Sequence, residues 1–163
     1  WDTLQRMGAA RSTEGAFYRM RAGVLSQAAT YKIFQRLGHH PELSHPSDDQ
    51  YNAIDLWEET GVPVQIKTGQ DDTPLLLEVD RMGPTHVVVG DAEGEKHVST
   101  KLMQDIEKFT TGIKRYERTA QQHVTGHLLV LPKTSYDKVS GEPSDAIVQF
   151  VATELGIEQQ QAA

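Results

Sequence analysis

The segment from Tyr51 to Thr68, YNAIDLWEETGVPVQIKT, restricts the fold of this chain more than any other part. Two short apolar runs flank a polar stretch at 58–61 that ends in glycine, a pattern typical of two antiparallel strands joined by a turn. Residues two apart on a strand project from the same face, so Gln65 and Lys67 point together and Ile66 points oppositely, towards a core. The carboxylate of Asp55, at the end of the first run, can approach the face that carries Gln65 and Lys67.

These side chains are suited to bind a cation and a phosphate together. A carboxylate such as that of Asp55 holds a hard cation such as Mg²⁺ through oxygen, and Gln65 offers a second oxygen. The ammonium of Lys67 can polarise a nucleophilic water or neutralise charge in a transition state. Plain strands also carry polar residues on an exposed face, so the spacing alone leaves a structural role for Lys67 open.

Length and composition favour one domain with a modest core, since the chain has 163 residues, of which 37% are apolar. We assign residues 1–158 to this domain and residues 159–163 to a disordered tail. No apolar run reaches the length of about 18 residues that a membrane span needs, and no signal peptide opens the chain. We therefore expect no membrane partner and a cytoplasmic site of action. Because the chain opens at Trp1 rather than Met, we expect a piece of a longer protein, which leaves delivery or secretion as part of that protein open.

Charge and residue usage narrow the function classes further. The net charge of −7 counts against broad, non-specific nucleic-acid binding, which relies on Lys and Arg to neutralise phosphates. A local basic surface within an acidic protein is still compatible with a nuclease. The absence of cysteine excludes a disulfide framework and a thiolate metal site. The histidines are interpreted as solvated loop residues, except His86, which we expect to be structural.

The first half of the chain predicts a long helix and then a loop. Ser12 or Thr13 can cap a helix that ends at Gly38. Its apolar residues recur at helical spacing, namely Phe17, Met20, Val24, Ala28, Tyr31 and Phe34. Residues 39–50 are rich in proline, aspartate and serine, which predicts a loop with room for a short strand. Thr73 and Pro74 then open a short predicted helix over 75–82, although its alternating apolar residues describe a strand equally well.

The second half alternates strands and helices. The β-branched run 85–90 predicts a buried strand, and Thr100 caps a long helix. The apolar stripe of that helix consists of Leu102, Ile106, Phe109, Ile113 and Tyr116. Residues 127–131 predict another buried strand that stops at Pro132, and Ser144 begins a last helix that ends at Gly156. These elements predict an α/β fold with a mixed central sheet flanked by helices, in the order α-β-β-β-α-β-α-β before the last helix.

Three segments resemble the PD-(D/E)XK nuclease superfamily, which has the restriction-endonuclease-like fold. They are GVLSQAATYKIFQRLG (23–38), NAIDLW (52–57) and VPVQIKTG (62–69). In small resolvases and bacterial toxin nucleases of this superfamily, a first helix ends in glycine, a strand carries an aspartate, and a later tripeptide reads (E/Q)-hydrophobic-Lys. The resemblance covers residues 12–70, and only the order of helices and strands supports it beyond them.

The resemblance implies a role for each matching residue. Asp55 would be the main metal ligand, Gln65 would occupy the place of the second carboxylate, and Lys67 would be the catalytic lysine. Gln27 occupies the place of the glutamate that the first helix often carries, and Glu14 would serve as a substitute metal ligand. The implied cofactor is Mg²⁺ or Mn²⁺.

Two further residues are candidates for substrate binding beside Gln27. Gln70 closely follows the strand of Lys67 and could touch a substrate phosphate. Lys101, near the start of the long helix, could line the phosphate backbone. A solvated loop glutamine and a solvated helix face are the plainer interpretations.

These observations lead to three hypotheses. The first is a metal-dependent endonuclease that hydrolyses DNA or RNA, as a module of a larger bacterial toxin or effector with an immunity or regulatory protein as partner. The second is a catalytically inactive nuclease fold that binds protein or nucleic acid, because the amides of Gln27 and Gln65 hold Mg²⁺ less strongly than carboxylates. The third is an unrelated α/β domain in which both hairpin strands are purely structural.

Overall fold

Four helices and six strands make up the part of the chain that the computed structural model describes, which is residues 14–69, 72–89 and 99–157. In chain order they are α1 (Glu14–Arg36), β1 (Glu42–Leu43), α2 (Pro46–Asn52), β2 (Leu56–Trp57), β3 (Pro63–Gly69), β4 (Leu75–Asp80), β5 (Gly83–Val89), α3 (Thr100–Ala120), β6 (Gly126–Pro132) and α4 (Asp145–Glu154). The strands form one sheet in the order β1-β2-β3-β6-β4-β5. The predicted α/β class with a mixed sheet and flanking helices is confirmed.

The sheet is mixed because one of its strand pairs is parallel. Strands β1, β2 and β3 pair antiparallel, and so do β4 with β5 and β4 with β6. Strand β3 pairs parallel with β6, with Ile66 opposite Leu129. A parallel pair needs a long crossover, which here contains β4, β5 and α3. The carboxyl ends of β3 and β6 therefore lie at the same edge of the sheet.

Helices cover both faces of the sheet. Residues of α1 and α4 pack on one face, in a cluster that includes Ile33, Val151 and Leu129. Residues of α3 pack on the other face, in a cluster that includes Phe109, Ile113 and Leu128. Since successive strand residues point to opposite faces, the run of leucines in β6 is buried on both sides.

The predicted hairpin is confirmed in its position and pairing. Leu56 lies opposite Val64 in the antiparallel ladder of β2 and β3, and Gly61 turns the chain with a φ of 82°. The backbone N–H of Asp55 donates to the carbonyl of Val64 at 2.8 Å, which continues the ladder before β2 begins. Ile66 is buried in a cluster with Phe34 of α1, as its alternation predicts.

Two predictions for the residues between the hairpin and α3 are wrong. Residues 75–80 form a strand and not the short helix, because Leu75 and Leu77 pack against the α3 side while Leu76 packs against the α1 side. The following strand, β5, is not buried, since it lies at the edge of the sheet and Val87 is 54% exposed. His86 is likewise exposed on this strand, so it is not a buried structural histidine.

A short helix, α2, occupies the segment predicted as a loop, after the short strand β1. The side chain of His45 accepts a hydrogen bond from the backbone of Ser47, and Pro46 begins the helix. No residue of α2 is buried, so it carries no apolar periodicity that could have revealed it. Ser99, rather than Thr100, is the N-cap of α3, and the predicted cap at Ser12 or Thr13 lies outside the described residues, as does the predicted tail at 159–163.

The buried face of α1 differs from the predicted apolar stripe. Met20 and Val24 are 61% and 60% exposed, whereas Ser26 and Thr30 are almost fully buried. The hydroxyl of Thr30 donates to the carbonyl of Ser26 at 2.9 Å, and the hydroxyl of Thr68 donates to the hydroxyl of Ser26 at 3.2 Å. Apolarity fails to locate this face because hydrogen-bonded hydroxyls replace apolar side chains where α1 crosses β3.

The contact between α2 and α3 gives the first testable prediction. A Cβ atom at Gly112 would lie 1.7 Å from the carbonyl oxygen of Asn52, which is rigid backbone. We expect Gly112→Ala to lower the free energy of unfolding by at least about 2 kcal/mol, because the two helices must separate. Urea denaturation measures this change.

Gly23→Ala is the matched control, since a Cβ atom at Gly23 on α1 would meet nothing within 4 Å. Alanine favours a helix interior over glycine, so this variant should be more stable than the wild type by about 0.5–1 kcal/mol. A Gly112→Ala protein as stable as the wild type would show that α2 and α3 do not approach so closely.

Candidate active site

A cleft of about 530 Å³ opens where β3 and β6 end, between α1 and the start of α3. Its wall residues come from α1, α2, the ends of β3 and β6, and the first turn of α3. Asp55 and Lys67 both line it. In open α/β sheets, ligands bind in crevices outside the carboxyl ends of parallel strands. The topology therefore builds the cleft where a ligand site is expected.

The carboxylate of Asp55 is held by donors from two separate elements. One oxygen accepts from the side-chain amide of Gln27 on α1 at 3.1 Å. The other oxygen accepts from the backbone N–H of Ile66 at 2.6 Å and from the side-chain amide of Gln65, both on β3. Both glutamines that the resemblance places at carboxylate positions thus contact the same aspartate.

Burial gives the carboxylate of Asp55 an unusual acidity. Loss of solvation raises its pKa from 3.8 to about 6, and the nearby charge of Asp49 acts in the same direction. The hydrogen bond from Ile66, the charge of Lys67 and the hydrogen bond from Gln65 oppose this rise. Asp55 is therefore mainly ionised at neutral pH and takes up a proton in mildly acidic solution.

Lys67 lies in the field of two carboxylates. Its charge acts on Asp55, and its Nζ atom lies 3.9 Å from an oxygen of Asp105 on α3. The side chains of Lys67 and Asp105 are only 25% and 20% exposed, so water screens their attraction less than at the open surface. Asp105 is a site residue that the sequence analysis does not identify. In the sequence, Asp105 lies four residues after Lys101, which places both on one helix face. That spacing is the feature that could have identified Asp105 as a site residue.

The cleft carries a local excess of positive charge. Four cations line it, Arg19, Lys67, Lys101 and Lys133, against the carboxylates of Asp49 and Asp55 in its wall and that of Asp105 beside Lys67. Within the described residues, Arg19, Lys101 and Lys133 form no salt bridge with a carboxylate. A chain with a net charge of −7 thus concentrates cations at one concave surface, which favours an anionic ligand.

Other basic residues of α1 have structural partners instead. Arg21 donates to the carbonyl of Lys138 at 2.8 Å, and Lys32 pairs with Glu142 at 2.8 Å. Arg36 pairs with Asp145 at 2.5 Å. These contacts hold the segment before α4 against α1. Arg21, Lys32 and Arg36 therefore make structural contacts, whereas Arg19 lines the cleft.

Two predicted site residues have side chains outside the described part of the chain. Glu14 begins α1, and its predicted role as a substitute metal ligand stays a prediction. Gln70 lies outside the described residues, so its predicted contact with a phosphate stays a prediction.

The groups around Asp55 offer a cation one carboxylate and two side-chain amides. Among the described residues there is no cluster of three or more His, Cys, Asp or Glu side chains arranged to hold a metal. However, Mg²⁺ keeps several waters and commonly uses one or two protein carboxylates together with substrate phosphates. Asp55 supplies one carboxylate, and rotation of the amides of Gln27 and Gln65 would turn their oxygens towards a cation.

Two histidines of the described residues, His123 and His127, contact carboxylates outside the cleft. The ring of His127 contacts the carboxylate of Glu58 at 2.7 Å, and the ring of His123 contacts Glu117. Neither pair lines the cleft. The interpretation as a solvated loop residue is wrong for His127, which lies on β6 with a side chain only 13% exposed, because Glu58 gives its ring a buried partner.

No protein-family model, curated protein or solved structure matches this chain. No helix in the described ranges combines the length and apolarity needed to cross a membrane. The chemistry of the cleft is therefore what indicates a function.

The raised pKa of Asp55 predicts how stability depends on pH. Between about pH 4 and pH 6 the folded state binds a proton that the unfolded state has lost, so the stability contribution of Asp55 falls as pH rises. The shift from 3.8 to about 6 corresponds to at most about 3 kcal/mol. We therefore expect the stability of Asp55→Ala, relative to the wild type, to improve from pH 4 to pH 7.

Urea denaturation across this pH range measures the difference between the two proteins. Asp145→Ala is the control, because it removes a carboxylate that is 93% exposed and does not line the cleft. Its change in stability with pH is the reference for that of Asp55→Ala. A difference between wild type and Asp55→Ala that stays constant with pH would contradict the raised pKa.

Proposed function

We propose that this domain is a metal-dependent phosphodiesterase of the PD-(D/E)XK type that hydrolyses nucleic acid. The observation that carries the proposal is the convergence of Asp55, Lys67 and Gln27 in one cleft, with Gln65 bonded to Asp55 from behind the cleft wall. These are the positions that the resemblance assigns to the site, and they come from three separate segments of the chain, namely α1, the residues before β2, and β3. A chain in which the two strands were purely structural would not need to gather them around one buried carboxylate.

The order of the elements supports the same proposal. A helix that ends before Gly38 is followed by the strand region of Asp55, the strand of Lys67, a crossover helix and a parallel strand. The hairpin β4–β5 lies within the crossover and pairs on the far side of β6. It leaves the edge with the carboxyl ends of β3 and β6 open for the cleft.

Each residue of the cleft has a separate role in the proposed reaction. Asp55 and the amide oxygens of Gln65 and Gln27 would hold Mg²⁺ or Mn²⁺, which supplies Lewis-acid polarisation of a phosphoryl oxygen when bound. Lys67 orients the attacking water and stabilises the negative charge that develops on the phosphate. The oxygen of water bonds to phosphorus and releases one proton to solvent, the bond from phosphorus to the leaving oxygen breaks, and the leaving oxygen takes up one proton from solvent. Lys101, Lys133 and Arg19 hold the flanking phosphates.

An inactive binding module is a second candidate, and one observation favours it. The carboxylate of Asp55 already accepts three hydrogen bonds from Gln27, Gln65 and Ile66, so it is satisfied without a cation. Such a domain would keep the basic cleft for nucleic acid or protein and lack hydrolysis. Delivery as part of a toxin and an immunity or regulatory partner stay predictions of the resemblance.

A cleavage assay distinguishes the two candidates. Plasmid DNA, single-stranded DNA and total tRNA are incubated with Mg²⁺, Mn²⁺ or EDTA. We expect metal-dependent cutting by the wild type, and a loss of at least about 100-fold in Asp55→Ala and Lys67→Ala, because each removes a group that acts on the transition state. Lys114→Ala, which removes an exposed lysine of α3, is the matched control and should cut normally. Cutting that persists in Asp55→Ala would contradict the assignment, and no cutting of any substrate would favour the binding module.

Metal binding should depend on pH in the direction set by Asp55. A metal ion competes with a proton for this carboxylate, whose pKa is about 6. We expect Mn²⁺ to raise the melting temperature of the wild type at pH 8 and to have little effect at pH 5. Thermal denaturation with and without Mn²⁺ measures the shift, which Asp55→Ala should abolish at pH 8. Equal shifts in both proteins would place the metal elsewhere.

A further inference from the structure

The cleft has an apolar wall that phosphate chemistry does not explain. Tyr18, Met20 and Val24 line it from α1, and they are 53%, 61% and 60% exposed. Their exposure is unusual for large apolar side chains placed on one short stretch of helix. The ring of Tyr18 packs edge-on against Phe17, with centroids 5.6 Å apart, which holds it in a defined orientation.

The apolar wall lies beside the cations of the same cleft. Arg19 lies between Tyr18 and Met20 in the sequence of α1. Lys101 and Lys133 line the cleft from other elements. A cationic groove with an aromatic platform is the arrangement that binds unpaired nucleotides, because phosphates meet the cations and bases stack on the ring. A duplex keeps its bases stacked inside and offers such a wall nothing to contact.

The depth of the cleft also favours an unpaired nucleotide over a duplex. Asp55 is partly buried in the cleft wall and the side chain of Lys67 is only 25% exposed, so both groups lie below the rim of the cleft. A cleft of about 530 Å³ is in the size range of small-ligand sites and has room for roughly one or two nucleotides. A flexible single strand can lower a phosphodiester to Asp55, whereas the phosphates of a duplex lie on a convex surface that the walls keep out.

We infer that the substrate of this cleft is a single-stranded nucleic acid, with phosphates held by Arg19, Lys101 and Lys133 and a base stacked on Tyr18. The inference rests on the proposed function, since it identifies the form of nucleic acid that the site takes. The shared chemistry is an unpaired nucleotide, which DNA and RNA both offer.

Binding is measured by fluorescence anisotropy, in EDTA so that metal-dependent cleavage does not interfere. The probes are a labelled single-stranded DNA of twelve nucleotides, the RNA of the same sequence, and the blunt DNA duplex. We expect at least one single strand to bind at least about tenfold more tightly than the duplex. Tyr18→Ala should weaken single-strand binding by about 5- to 150-fold, the range for loss of one stacked base. Lys101→Ala and Lys133→Ala should each reduce the salt dependence of binding by about 0.7 in the slope of log K against log salt.

Tyr51→Ala is the matched control, because Tyr51 is 62% exposed on α2 and does not line the cleft. It should bind the single strand as the wild type does, and Tyr18→Phe should keep most of the affinity because it keeps the ring. Duplex binding as tight as single-strand binding, equal effects of Tyr18→Ala and Tyr51→Ala, or no binding of any probe would each overturn the inference.

The cleavage assay separates this inference from the proposed function. Single-strand binding that depends on Tyr18, without metal-dependent cutting, would uphold the inference and refute hydrolysis. Cutting of duplex alone, lost in Asp55→Ala, would uphold hydrolysis and overturn the inference. The DNA and RNA probes distinguish the two sources of the unpaired strand.

Discussion

The hydrogen bonds that hold the partly buried carboxylate of Asp55 are the interactions on which the proposed site depends. A partly desolvated carboxylate is unfavourable unless donors or cations compensate for the lost water. Here α1 supplies Gln27, and β3 supplies the N–H of Ile66 and the amide of Gln65. Because these donors belong to elements far apart in the chain, the carboxylate also fixes how α1 approaches the hairpin.

Around Asp55, polar side chains lie between α1 and β3, whereas apolar side chains fill the rest of the contact between helices and sheet. Ser26 and Thr68 join α1 to β3 by hydroxyl groups directly below the cleft. A buried hydroxyl needs a hydrogen-bond partner, and Ser26 and Thr68 are partners for each other. The result is a helix whose inner face is polar near the site and apolar near Ile33 and Phe34, and whose outer residues line the cleft. Ser26 and Gln27 on the inner face also line the cleft, so both faces of α1 contribute to it.

The sequence was sufficient for the parts of the structure that local pattern determines. The hairpin, the stripe of α3 and the cap at Ser144 follow from alternation, helical spacing and capping chemistry, and the structure contains all three. The approach of Asp55 to Lys67 followed from strand geometry alone. The site contact of Asp105 could not be predicted, because it requires the packing of α3 against the sheet.

The errors have physical causes of the same kind. Residues 75–80 satisfy both helical and strand periodicity, and only their pairing with β6 decides for a strand. Met20 and Val24 look like core residues by spacing, yet they are exposed beside the cleft. An exposed apolar residue of this kind indicates a binding surface, since it lies where a ligand, rather than the protein, can cover it.

The most direct test of the account is a titration of the side-chain carboxyl carbons of aspartate by ¹³C NMR, with and without a trace of Mn²⁺. The account predicts that the resonance absent from Asp55→Ala titrates with a pKa of about 6. It also predicts that Mn²⁺ broadens this resonance at pH 8 before it broadens those of exposed aspartates. An Asp55 resonance that stays sharp while other carboxyls broaden would contradict a metal site at this carboxylate, and the proposed hydrolysis with it.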